Sequence, residues 1–154
     1  MDQVPFGDNP TSRCRYYRDV CDLPATVTPP DRILLSAGSV GAITMPARLG
    51  DRVRTRLLWS GSPTSPIALH PRSKRWTFLV RPDVPTDDTP LFRELFRLDV
   101  HIVPQGASIA LPAPTDSSRD IRHWVTPPRG TFRPSGFAVI EAISSLAATG
   151  VRHV

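Results

Sequence analysis

The amino-acid sequence predicts an α+β domain, an antiparallel sheet with helices packed on one side, and three observations lead there. Short apolar runs with strand character alternate with longer segments whose apolar residues recur every three or four positions. Their order is strand, helix, hairpin, helix, hairpin, with one more helix toward the C-terminal end, close to a βαββαβ plan. Prolines, 18 in 154 residues, fall mostly between these segments, where each fixes φ, removes a backbone donor and so marks a boundary.

The elements follow in order. Residues 1–30 are expected to be partly mobile, with a helical turn or two around Tyr16 to Leu23, and the domain proper to span 31–150. Ile33-Leu34-Leu35, a turn at Gly38-Ser39 and the run Val40 to Met45 read as a hairpin or a kinked strand. Pro46 suits the first position of a helix, and Leu49, Val53 and Leu57 give that helix an apolar stripe with Arg48, Arg52 and Arg56 on its flank. Pro66 to His70 and Trp76 to Val80 form a hairpin with the basic tip Pro71-Arg72-Ser73-Lys74-Arg75. Leu91, Phe92, Leu95, Phe96 and Leu98 recur at helical spacing, with Asp87 or Thr89 as the cap. Val100 to Val103 and Ala107 to Leu111 are expected to pair around Gly106, Trp124-Val125 to add a short strand, and a last helix to run from Ser135 to Gly150.

Hydrophobic residues at 40% and charged residues at 21% place the chain among ordinary globular domains, which excludes a disordered or fibrous protein. No run of about 18 apolar residues occurs, and the N-terminus has neither the basic n-region nor the apolar h-region of a signal peptide, so a cytoplasmic protein with no membrane partner is expected. Cys14 and Cys21 have no further cysteine to complete a metal site and read as reduced, buried thiols. The formal charge is +5, and Lys74 is the only lysine among 19 basic residues. Arginine suits bidentate contact with phosphate, although coding bias toward Arg, Ala, Pro and Asp accounts for the same composition.

Three stretches, in order, resemble the N-terminal domain of bifunctional DNA primase/polymerases, of the primase-polymerase superfamily. Val40-Gly41-Ala42-Ile43-Thr44-Met45-Pro46-Ala47-Arg48-Leu49-Gly50 is similar to the family strand that ends in an Asp-x-Asp pair. Pro66 through Val80 is similar to the hairpin whose second strand carries the family histidine. Val100 through Pro114, followed by Trp124, is similar to the region with a glycine turn, an apolar strand, a Pro-rich corner and a Tyr-x-Trp. The likeness covers residues 40–128. It implies an RRM-like antiparallel sheet of βαββαββ order, with helices on one face and the extra C-terminal helix.

The chain departs from that pattern where the family's chemistry resides. Two-metal nucleotidyl transfer needs carboxylates to hold the divalent ions, and Thr44-Met45-Pro46 stands at the Asp-x-Asp place with one hydroxyl and no charge. Trp76 or Thr77 stands at the histidine position, while His70 lies on the other strand of the hairpin. The degenerate active-site positions are thus Thr44, His70, Asp99 and His101. Asp99 and His101 alternate on one strand face but lack a third ligand, and His70, His101, His123 and His153 show no metal-binding spacing. No phosphate-loop, dinucleotide or nucleophile-elbow pattern is present, so neither a catalytic residue nor a cofactor is expected.

Three functions are consistent with these residues. A catalytically inactive relative would bind single-stranded DNA or a nucleotide through Arg72, Lys74, Arg75 and Trp76, with Arg119, Arg122, Trp124 and Arg129 beside them, arginines meeting phosphates and indoles stacking on bases. A regulatory scaffold would meet a protein partner through the sheet or the last helix, whose Val139, Ile140, Ile143 and Leu146 spread over more than one face. A divergent nucleotidyltransferase would have a rebuilt site. Both tryptophans also fit a core, and the arginines a solvated surface.

Overall fold

The computed structural model describes residues 4–63, 65–85, 87–114 and 122–150. It is an α+β structure of four helices and two antiparallel sheets. The elements are α1 (Pro10–Asp19), β1 (Ala25–Thr28), β2 (Arg32–Ser36), β3 (Gly41–Pro46), α2 (Ala47–Trp59), β4 (Ile67–His70), β5 (Arg75–Val80), α3 (Thr89–Arg97), β6 (His101–Ile102), β7 (Ser108–Leu111), β8 (His123–Thr126) and α4 (Gly136–Gly150).

More of the N-terminal segment is ordered into elements than its periodicity suggests. Asn9 accepts from the backbone N–H of Ser12, the Ser12 hydroxyl answers at the Asn9 N–H, and Pro10 occupies the first turn, so α1 starts well before Tyr16. The helix buries only Cys14 and Tyr17, because polar residues surround those two positions. That sparse stripe is why the helix is hard to see by period alone.

β2 and β3 are the two arms of a kinked strand, which settles the choice between kink and hairpin. They never pair with each other: β2 lies in the sheet β1-β2-β7 and β3 in the sheet β6-β3-β5-β4-β8. The pair expected around Gly106 is likewise not a hairpin. β7 pairs with β2 and β6 with β3, and bonds of 2.8 Å from Ala37 N to Ala107 O and from Gly106 N to Ala37 O carry the ladder through the bend. Gly106, with φ of +89°, turns a corner there rather than reversing the chain. One bent ribbon therefore serves both sheets.

The β4–β5 hairpin forms as expected, with His70 opposite Arg75. In the five-stranded sheet every neighbouring pair is antiparallel. The helices α2, α3 and α4 cover one face, where Ile43, Met45, Ile67, Phe78 and Val80 of the strands join Val53, Leu57, Leu95, Val139, Ile140 and Ile143 in one core. Residues one step along each strand point the other way. There Ala42 and Leu79 join a second core with Tyr17, Cys21, Ile33, Leu35, Ile109 and Leu111.

Helix ends follow local chemistry. Asp88, one residue from each expected cap, accepts from the N–H of Leu91 to start α3. Asp83 caps α4 from outside the helix: its carboxylate accepts from the Ser135 hydroxyl at 2.6 Å and from the Phe137 N–H at 3.1 Å. Burial alone would raise the Asp83 pKa, but these bonds and that from Gly136 hold it below the usual value. Among the described residues no helix is long and apolar enough to cross a membrane.

Candidate nucleic-acid interface

Strand alternation alone assembles a polar cluster on the sheet face away from the helices. Thr44 lies opposite Thr77 on one side and His101 on the other, and Arg75 stands two residues before Thr77. The Arg75 guanidinium donates to the Thr44 hydroxyl at 3.1 Å and to the Asp99 carbonyl at 2.8 Å, and sits 3.0 Å from the Asp99 carboxylate. His101 Nε2 lies 3.2 Å from the other Asp99 oxygen, the distance of a bond donated by the Nε2–H tautomer. Asp99 is not a strand residue alternating with His101. It sits in the turn after α3 at φ of +60°, and that left-handed backbone turns its carboxylate back over Arg75.

The basic tip adjoins this cluster. Arg72 and Lys74 are exposed, while Arg75 is half-buried and fixed by its three contacts. His70 orders the turn: its Nδ1 lies 2.8 Å from the Ser73 hydroxyl and accepts from the Ser73 N–H. Five of the anticipated residues, Thr44, Arg75, Asp99, His101 and His70, thus share one face with Arg72 and Lys74 at its end.

Of the aromatic residues anticipated beside that tip, Trp76 takes the opposite face of the sheet, whereas Trp124 lies in the row Thr44, Thr77, Ala68, Trp124 on the same face as the polar cluster. Trp76 faces the helices, with its ring so close to Gly50 of α2 that a Cβ there would come within 2.7 Å of it. Trp124 packs on the second core, edge-on to Tyr17 at 5.8 Å, and its Nε1–H donates to the Tyr17 hydroxyl at 2.9 Å. Tyr17 in turn donates to the Pro112 carbonyl at 2.6 Å. The Trp76 ring is thus committed to α2, and the Trp124 indole is half-buried and held through its Nε1–H edge by Tyr17. Arg122 is half-buried just before β8, Arg129 lies beyond β8, past the end of β4 remote from the tip, and Arg119 lies outside the described residues.

The cluster holds a single carboxylate, already ion-paired, and among the described residues no group of three or more His, Cys, Asp or Glu gathers to hold a metal. Its chemistry is that of donors: a fixed guanidinium, two threonine hydroxyls and exposed cations. Sequence reasoning missed the aromatic residues on the helical layer, Trp59 at 87% exposure, Phe96 at 74% and Phe137 at 48%. Trp59 falls two positions after Leu57, on the far side of α2 from its apolar stripe, which is the signal that finds it. Val139, Ile140 and Ile143 of α4 are by contrast buried, so that helix spends them on the core. No family model, curated protein or solved structure matches the chain.

Proposed function

We propose that the chain is a non-catalytic module that binds single-stranded nucleic acid through the exposed β4–β5 turn and the uncovered part of the sheet face. The observation that carries this is the placement of Arg72 and Lys74, both exposed, at the end of a face lined by Thr44, Thr77, His101 and a fixed Arg75. Cations in a row beside hydroxyl donors suit a phosphate backbone. The strand order β6-β3-β5-β4, with α2 between β3 and β4 and α3 between β5 and β6, supports an RRM-like, primase-polymerase-like reading of the fold. With Trp76 turned to the helices and Trp124 tethered to Tyr17, the exposed cations of the turn dominate contact through phosphate, so binding is weak in sequence preference and strong in salt dependence.

Fluorescence anisotropy of a labelled 20-mer of single-stranded DNA at several salt concentrations tests this. The double variant Arg72→Ala/Lys74→Ala removes two phosphate contacts and lowers the slope of log K against log salt by about 1.4. No binding by the wild-type chain at low salt removes the proposal.

A second reading, an interaction surface for a protein partner, is favoured by the adjacent exposed pair Leu58 and Trp59 at the end of α2, since contiguous apolar surface, unlike a single exposed residue, marks contact sites. Sedimentation of the wild-type chain and of Trp59→Ser over a range of concentrations tests its simplest form, self-association. Identical monomers throughout would remove that form.

A further inference from the structure

The helix α2 starts at the base of the basic turn. The Ala47 N–H, at its first residue, donates to the Lys74 carbonyl at 2.9 Å, and Arg48 follows directly. From there Arg48, Arg52 and Arg56 recur every fourth residue, and all three are exposed. At about 100° per residue they fall within an arc of about 80° around the helix, and Trp59 lies inside the same arc. Val53 and Leu57 point the other way, into the core. We propose that a single strand held at the β4–β5 turn continues along this arginine row and stacks a base on Trp59. This rests on the reading of the turn as a nucleic-acid site and adds to it the path of the strand and its aromatic contact.

The row has the charge and the shape that a strand requires. The ion pairs among the described residues engage none of the three arginines, which leaves their charge available to phosphate. Trp59 is 87% exposed, whereas Trp76 is packed on α2 and Trp124 is held by Tyr17, so Trp59 is the indole with area for a base. Beside it a cavity of about 550 Å³ is lined by Arg52, Thr55, Arg56 and Trp59, with Asp51 as its carboxylate. Arg56 also borders a groove that holds Asp88 and Glu141, two charges that repel phosphate, so Arg48 and Arg52 carry most of the backbone contact. From Arg48 to Trp59 the helix rises about 16 Å, room for about five nucleotides at the stacked rise of about 3.4 Å.

Fluorescence anisotropy of the full chain with two labelled 20-mers, oligo-dT and the same sugar-phosphate chain without bases, tests the path. Trp59→Ser should weaken oligo-dT about 5- to 150-fold with the salt slope unchanged, and should leave binding of the abasic chain as it was. Trp59→Phe should restore most of the loss, because a phenyl ring also stacks. Arg48→Ala/Arg52→Ala should lower the slope of log K against log salt by about 1.4 on both oligomers. All these side chains are exposed, so the Tm should stay where it is. If either the Trp59→Ser or the double-arginine protein binds oligo-dT like the wild type while Arg72→Ala/Lys74→Ala is impaired, the path along α2 is refuted and the turn alone is the site. An equal loss of Trp59→Ser on the abasic chain would refute the stacking. A Trp59→Ser protein with altered sedimentation and unaltered DNA affinity would assign the indole to contact between copies of the chain and overturn the proposal. If the wild type binds neither oligomer at low salt, the path falls together with the reading of the turn.

Discussion

Thr77 and Phe78 are neighbours on β5, yet they live in different environments. Phe78 is fully buried under three helices, whereas Thr77 shares the opposite face with Thr44 and stays half-exposed. The helix side of the sheet is sealed by apolar residues along its length. The other side is sealed at Ala42 and Leu79, where the second core reaches it, and at Ala68 beside Trp124, and around Thr44 its residues turn to hydroxyl, imidazole and guanidinium. Stability is concentrated where the apolar alternation is complete, and the candidate chemistry begins where it stops.

That contrast is open to direct attack. The largest effect is expected from Phe78→Ala, at about 3–5 kcal/mol of lost stability in urea denaturation, against a change within about 0.5 kcal/mol for Thr77→Val next to it. Comparable losses from both would erase the distinction between the faces. In the second core, burial pushes the Cys21 thiol up from 9.0 to about 11. The unfolded chain then loses its thiol proton at a lower pH than the folded one, so stability should fall as pH rises from 9.0 toward 11, by about 2 kcal/mol, and be fully present below 9.0. Thermal melts across that window check the sign, and Cys21→Ala should make the profile shallower without abolishing it, because burial raises the Cys14 thiol as well.

Gly50→Val forces a side chain against the ring of Trp76 and should cost about 1–3 kcal/mol, measured the same way; no loss would show that the indole is free to move off α2. Tyr17→Phe orphans the Pro112 carbonyl and the Trp124 N–H at once, at about 1–2 kcal/mol. The smallest effect belongs to the open face. Asp99→Asn keeps a residue tolerant of φ at +60° but removes the charge that occupies Arg75, so DNA affinity should rise about two- to fivefold with stability little changed. Weaker binding would mean that Asp99 holds Arg75 in the binding geometry rather than away from the ligand.

Periodicity located α2, the β4–β5 hairpin, α3, β8 and α4, because each carries a clear period or sharp proline boundaries. It underestimated α1, which depends on two buried residues and a capping box rather than on a stripe. It also paired Val100–Val103 with Ala107–Leu111, since a glycine between two apolar runs reads the same whether the chain reverses or merely bends. Residue types marked Thr44, Asp99, His101 and Arg75 as worth attention, but they could not place Asp99 over Arg75, which depends on one left-handed residue. The orientation of Trp76 and Trp124 was equally hidden, because an indole fits a core or a surface until its neighbours are known.

What the sequence settled by itself is local: the type of most segments from β2 onward, the prolines that bound them, and that no carboxylate stands at the end of β3. Those follow from backbone sterics and side-chain type, which act over a few residues. Tertiary structure alone decided which strands share a sheet, which face each tryptophan takes, and that Tyr17 and Trp124, far apart in the chain, pack together and share a hydrogen bond. Such pairings are fixed by the burial of apolar surface between distant segments, a sum over the whole molecule that no short window contains.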